Sequence, residues 1–185
     1  MKKFYTLAFL SIFMFSCQPP PDNSAKEAFE RNSKTVMAYI NGFESENIDY
    51  EAIYSKKLAV MRGTSFGSND STGLPEMMIN DRKGWAKFDF EMVSRPVVLL
   101  PGVNIDTKEM DGSVRYYGTW KVTLPATDST DGKTGVIKLY ESFDFDEDGK
   151  IVLQQYYGDG SGLFMYLNDY EYVNKQDNSQ GLDFD

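Results

Sequence analysis

Residues 144–155 read DFDEDGKIVLQQ, and two incompatible local structures fit their first half. Asp144, Asp146 and Asp148 alternate ahead of Gly149 and Ile151, as in the first two-thirds of an EF-hand calcium loop. The same residues also suit a tight turn between two strands, with Gly149 supplying a positive φ. Counted from Asp144, the twelfth residue is Gln155, where a calcium loop usually places a bidentate glutamate. The flanks decide the matter. An EF-hand is bracketed by helices, whereas IKLYESF (137–143) and KIVLQQYY (150–157) are β-branched, aromatic and alternating. The stretch is therefore read as a hairpin of strands 136–145 and 150–158. Its aspartates keep the hairpin end soluble, and a metal set of Asp144, Asp146 and Asp148 is the weaker alternative.

The hairpin sets a parity for the strand before it. One face carries Lys138, Tyr140, Ser142 and Asp144; the other carries Ile137, Leu139, Glu141, Phe143 and Phe145. Glu141 thus lies in the middle of an apolar face. A buried carboxylate without a partner is costly, so it pairs, holds its proton or borders a cavity. The parity alone leaves two readings open: a salt bridge or wet edge, and a polar anchor inside a pocket. Strand 113–124 places Val114, Tyr116, Gly118, Trp120, Val122 and Leu124 on one face, with Trp120 either core or ligand platform.

Working outward, AKEAFERNSKTVMAYINGFES (25–45) is an amphipathic helix, with Phe29, Val36, Ile40 and Phe43 on one stripe. NIDYEAIYSKKL predicts a second, shorter helix with Asn47 as N-cap, and Leu74 to about Lys87 a third. From Phe88 onward the pattern turns to strands: KFDFEMV, RPVVLLPGV, SVRYYGTWKVTL, TGVIKLYESFDF and KIVLQQYYGD. Asp111-Gly112, Asp131-Gly132 and Asp148-Gly149 are each a reverse-turn signal. Helices first and an antiparallel meander after is an α+β arrangement.

The chain opens MKKFYTLAFLSIFMFSCQPPPDNS. Lys2 and Lys3 precede an apolar run from Phe4 to Phe15, too short to span a bilayer and suited to a secretory signal. Ser16 and Cys17, the single cysteine, follow. That order resembles a bacterial lipoprotein signal, which implies Cys17 as the first mature residue, diacylated through its sulfur. The other reading is an ordinary signal peptide with an incidental cysteine. The expected organisation is a signal over 1–16, a lipidated cysteine and stiff tether over 17–24, one domain over 25–167 and a polar tail over 168–185. The expected address is the cell envelope, on a bacterial membrane and facing the periplasm or exterior.

Removal of residues 1–16 takes away two lysines and no acid, moving the net charge from −9 to −11. An acidic surface argues against nucleic acid as a partner. The chain has no histidine, which excludes Ser-His and Cys-His nucleophile pairs and histidine-ligated zinc. No phosphate loop or nucleophile elbow is present, and no cofactor is expected.

The helical first half, followed by DFEMVSRPVVLLPGV, DGSVRYYGTWKVTL and YESFDFDEDGKIVLQQYYGD, resembles the nuclear transport factor 2-like superfamily, which includes SnoaL-like polyketide cyclases and ketosteroid isomerases. The resemblance spans roughly residues 25–160. It implies a cone-shaped single domain, N-terminal helices packed on a strongly curved antiparallel sheet, with an inner pocket and often a homodimer. The isomerase site carries over to Tyr39 as oxyanion tyrosine and to Glu141 as protonated oxyanion acid. Its carboxylate base falls on Arg62, which cannot abstract a carbon-bound proton at neutral pH.

Three functions follow. The first is a non-catalytic module that holds a small hydrophobic or amphipathic molecule with Tyr39, Trp85, Trp120, Glu141 and Tyr156; Trp85 can equally be helix packing. The second is an isomerase, cyclase or hydrolase using Tyr39 and Glu141 as oxyanion donors. The third is an assembly subunit that meets a partner through its aromatic sheet surface.

Overall fold

The structure, a computed structural model, describes residues 22–56, 59–62 and 71–170. The signal segment, Cys17, most of the tether and the tail beyond Tyr170 lie outside the described residues. Among the described residues no helix is long and apolar enough to cross a membrane.

Helix α1 (Ser24–Glu44) leads into the short α2 (Tyr50–Ile53) and the edge strands β1 (Val60–Arg62) and β2 (Thr72–Gly73). Helix α3 (Leu74–Trp85) precedes β3 (Asp89–Met92), β4 (Leu99–Val103), β5 (Met110–Leu124), β6 (Lys133–Phe145) and β7 (Ile151–Tyr157), and α4 (Gly160–Leu167) closes the fold. The strands form one seven-stranded sheet in the order β2-β1-β7-β6-β5-β3, with β4 also on β5. This is the α+β cone expected: a curved sheet with helices on its concave side.

Strand β5 shapes the cone because it is 15 residues long and serves two partners along one edge. β4 pairs with its first half (Leu99 opposite Tyr116) and β3 with its second (Met92 opposite Trp120). Register shifts at Pro101/Val103 and Asp144/Phe145 mark irregularities that sharpen twist and bend. Helix α1 lies across the hollow, and Val36, Ile40, Val114, Tyr116, Phe143 and Ile151 meet there fully buried. One edge pair is parallel. After α2 the Ser55 amide donates to the Ile151 carbonyl, so the chain runs on beside β7 in the same sense, with Val60 opposite Leu153.

The hairpin is as expected, with β6 and β7 joined at Asp146–Lys150 and Gly149 at φ +76°. Two of its aspartates are engaged by protein groups. Asp146 Oδ1 accepts from the amides of Asp148 and Lys150, and Asp144 accepts from Arg115 Nη1 at 3.2 Å. Among the described residues no group of three or more acidic, histidine or cysteine side chains gathers as a metal set. The turn also docks on α1: Thr35 Oγ1 donates to the Gly149 carbonyl at 3.0 Å.

Asp111-Gly112 is not a turn. It lies inside β5, and the reversal before it is made by residues 104–109, where Asn104 Oδ1 accepts from the amides of Asp106 and Thr107. The glycine serves a close approach instead. At φ +82°, an added Cβ would lie 2.8 Å from Ala28 Cβ of α1, while Asn32 Nδ2 donates to the Gly112 carbonyl at 2.8 Å. Gly112→Ala is therefore expected to cost about 2 kcal/mol in urea unfolding, from backbone strain and a displaced helix. A cost below a few tenths would mean that α1 is not held at this point.

Other local expectations shift by physical cause. The N-cap of α2 is Asp49, whose carboxylate accepts from the Ala52 amide, while the Asn47 amide closes the end of α1 on the Gly42 carbonyl. The Asp131-Gly132 signal sits beside a reversal made by residues 127–130. The apolar run RPVVLLPGV is strand only over Leu99–Val103. Helix α4 is unforeseen because GSG at its start reads as loop; Asp159 caps it by accepting from the Gly162 amide.

Candidate functional site

The hollow of the cone holds a half-open cavity of about 330 Å³, within the range of small-molecule sites. Tyr39 and Phe43 of α1 and Trp120 of β5 supply aromatic wall, with Phe90 of β3. β6 contributes Ile137, Leu139 and Glu141, and β7 contributes Gln154 and Tyr156. Met61 of β1, the Asn80–Asp81 pair and Gly84 of α3, and Gly160, Leu163 and Phe164 of α4 complete it.

Glu141 is 5% exposed and is the polar centre of this wall. Tyr116 Oη donates to its Oε1 at 3.1 Å and Gln154 Nε2 to its Oε2 at 3.3 Å. Each donor is itself held: Trp120 Nε1 donates to Tyr116 Oη at 3.2 Å, and Tyr54 Oη donates to Gln154 Oε1 at 2.6 Å. Burial pushes the Glu141 carboxyl up to about 7, against the two hydrogen bonds, which favour the charged form; the nearby Asp81 adds to the rise. At neutral pH the group is therefore divided between acid and carboxylate. Burial, with help from the Glu141 charge, keeps the Tyr39, Tyr54 and Tyr116 phenols protonated well above their ordinary range.

Asp81 is a second carboxylate in the wall. Tyr50 Oη donates to its Oδ2 at 2.8 Å, and burial raises it above the ordinary aspartate value despite that bond. The Tyr50 and Tyr54 rings stack at 6.0 Å, so the supports of the two acids lean on each other.

Of the residues singled out from sequence, Tyr39, Trp120, Glu141 and Tyr156 face this one cavity. Tyr156 sits directly opposite Glu141 in the β6–β7 register. The phenol that donates to Glu141 is Tyr116, not Tyr39, whose ring packs against Phe143 at 5.5 Å. Trp85 lies one ring away from the cavity, edge-on to Phe43 at 5.7 Å, with its indole N–H buried and unpartnered among the described residues. Arg62 ends β1 exposed, opposite Gln155.

Tyr116, Gln154, Tyr54 and Asp81 are site residues that the sequence reading misses. Tyr116 shares the inward parity of Trp120, and Gln154 that of Tyr156, so alternation carries a signal for both. Asp81 follows the buried Met77 by one helical turn. Tyr54 carries no such signal, because it sits past the end of a four-residue helix.

The sequence matches no family model and no curated protein. Several solved structures share the fold. A nuclear transport factor 2-like protein from Burkholderia xenovorans is 11% identical over 75% of this chain and 97% of its own, with a TM-score of 0.55. A proposed polyketide cyclase from Xanthomonas campestris pv. campestris is 17% identical over 76% and 97%, with a TM-score of 0.56. A proposed isomerase from Bacillus subtilis is 12% identical over 79% and 98%, with a TM-score of 0.60. At such identities the likeness is one of fold, and it is the nuclear transport factor 2-like cone.

Proposed function

We propose that this protein is a lipid-anchored envelope protein whose cone binds one small, largely apolar molecule without transforming it. The observation that carries this reading is the cavity of about 330 Å³, walled by aromatic and aliphatic side chains around the buried acid Glu141. A mostly apolar hollow with a few convergent polar groups is the usual form of a ligand site. Its two donors hold Glu141 in place, so a ligand group placed there meets a fixed partner rather than a mobile one. The lipid on Cys17, the membrane attachment and the periplasmic or exterior address are supported by the N-terminal residues alone.

Leu139→Trp, which places bulk into the cavity, is expected to lower the affinity for a neutral apolar probe such as phenylbutanol at least tenfold by calorimetry. Native mass spectrometry of the protein from its own host should show a bound small molecule that this variant lacks. Saturable binding unaffected by Leu139→Trp would place the ligand elsewhere and end the reading.

A second reading has one observation in its favour. Asp81 puts a carboxylate in the wall where the resemblance to ketosteroid isomerases leaves Arg62, so an isomerase or cyclase could use Asp81 as base and Glu141 as oxyanion donor. Several fold neighbours are described as cyclase or isomerase. Turnover abolished by Asp81→Asn would establish it; a ligand recovered chemically unchanged after prolonged incubation would set it aside.

A further inference from the structure

We propose that the cavity selects an organic cation, a molecule with an apolar body and one ammonium group, held between Asp81 and Glu141 inside a ring of aromatic side chains. The inference rests on the cavity being a ligand site and names the chemistry of the ligand.

Three observations converge. The first is charge. Two carboxyl groups line the cavity, from α3 and from β6, and among the described residues no lysine or arginine does. The hydrogen-bond donors that reach these acids are neutral: Tyr50 for Asp81, and Tyr116 and Gln154 for Glu141. Among the described residues neither acid has a salt-bridge partner, although six ion pairs occur elsewhere in the fold. A buried carboxyl without a counter-ion is costly, and an entering ammonium removes that cost for two groups at once. A ligand carboxylate or phosphate would raise it.

The second is the rest of the wall. Tyr39, Phe43, Phe90, Trp120, Tyr156 and Phe164 present six aromatic rings to one hollow. Ring faces attract ammonium groups, most strongly where water is excluded, and aromatic cages beside acids are the general solution for organic cations. The third is the field outside. A chain of net charge −9 draws cations toward its surface.

Proton linkage follows from the groups around Glu141. It is faced by Tyr39 from α1, Tyr54 after α2, Asp81 from α3, Tyr116 from β5 and Gln154 and Tyr156 from β7. The α4 residues in the lining, Gly160, Leu163 and Phe164, do not titrate. With Glu141 near 7 and, among the described residues, no cation beside it, an ammonium ligand favours the ionised form and expels the remaining proton. At neutral pH, binding therefore releases a fraction of a proton per ligand.

The test is a matched series on the intact domain: phenylbutylamine, phenylbutanol and phenylbutyrate, by calorimetry in two buffers of different ionisation enthalpy. The amine is expected to bind at least tenfold more tightly than the alcohol at pH 8, and the carboxylate not to bind. The preference should shrink at pH 5.5, where Glu141 is protonated, and amine binding at pH 7 should release protons while alcohol binding does not. In Asp81→Asn and Glu141→Gln the ratio of amine to alcohol affinity should fall at least fivefold. Equal affinities for amine and alcohol, or tighter binding of the carboxylate, would overturn the proposal and leave a neutral-ligand cavity standing. Binding of none of the three would remove both readings.

Discussion

Between pH 4.5 and pH 7 Glu141 is expected to withdraw about 3 kcal/mol of folding stability, and Glu141→Gln to flatten that part of the pH profile. The sign follows from linkage. The folded carboxyl titrates near 7 and the ordinary value is 4.5, so across this window the folded chain holds a proton that the unfolded chain has lost. Stability from this group is fully present below 4.5 and is lost as pH rises through 7. A shift of this size corresponds to about 3 kcal/mol. Asp81 acts in the same direction, since burial raises it too. Asp22 and Glu51 are lowered and act in the opposite sense; both are fully exposed and their contribution falls at more acid pH. Self-repulsion of a chain with net charge −9 weakens the fold at alkaline pH in wild type and variant alike. The difference between the two proteins therefore isolates Glu141. Urea unfolding at pH 5 and pH 8 is the measurement, and parallel profiles would mean that Glu141 is solvated in the folded protein.

Phe143→Ala is expected to cost about 3–5 kcal/mol, the range for truncating a fully buried aromatic ring. Phe143 is fully buried two residues beyond Glu141 on the same face of β6. Its ring stacks on Tyr116 at 6.2 Å and 11° and meets Tyr39 at 5.5 Å, with Val114 and Gln154 as cross-strand neighbours. Truncation leaves a void beside the Tyr116–Glu141 hydrogen bond, so the variant should also lose part of its pH dependence as water reaches the carboxyl. Phe143→Leu should cost less than half as much, because most of the volume is retained. A loss below 1 kcal/mol for the alanine variant would show that this ring does not hold α1 against the sheet.

Glu141 shows how far a sequence can be read. Strand alternation around the DFDEDGK turn places it inward from local information alone, because side chains alternate with period two whatever the partner strands are. The same alternation puts Tyr116 and Trp120 on the inner face. What alternation cannot say is whom Glu141 meets. Tyr116, Gln154 and Tyr54 come from three segments, and their convergence depends on register: Glu141 falls opposite Tyr116 on one side and Tyr156 on the other. A slip of one residue would face them outward. Asp81 was further out of reach, because a helix face announces burial but not which sheet residue it will confront. Asp111-Gly112 misled for a related reason. A left-handed glycine is required equally by a tight turn and by a helix that presses on a strand, and the helix is 80 residues earlier in the chain.

By itself, the sequence determined the class of the fold, the place of Glu141 on the apolar face of its strand and the chemistry unavailable without histidine, since each depends on composition or on short-range period. The tertiary structure alone decided that, among the described residues, Glu141 has no cation beside it, that Asp81 shares its cavity and that Arg62 does not. Those outcomes depend on curvature, bulges and the docking of α1, which sum weak contacts over distances that no local pattern encodes.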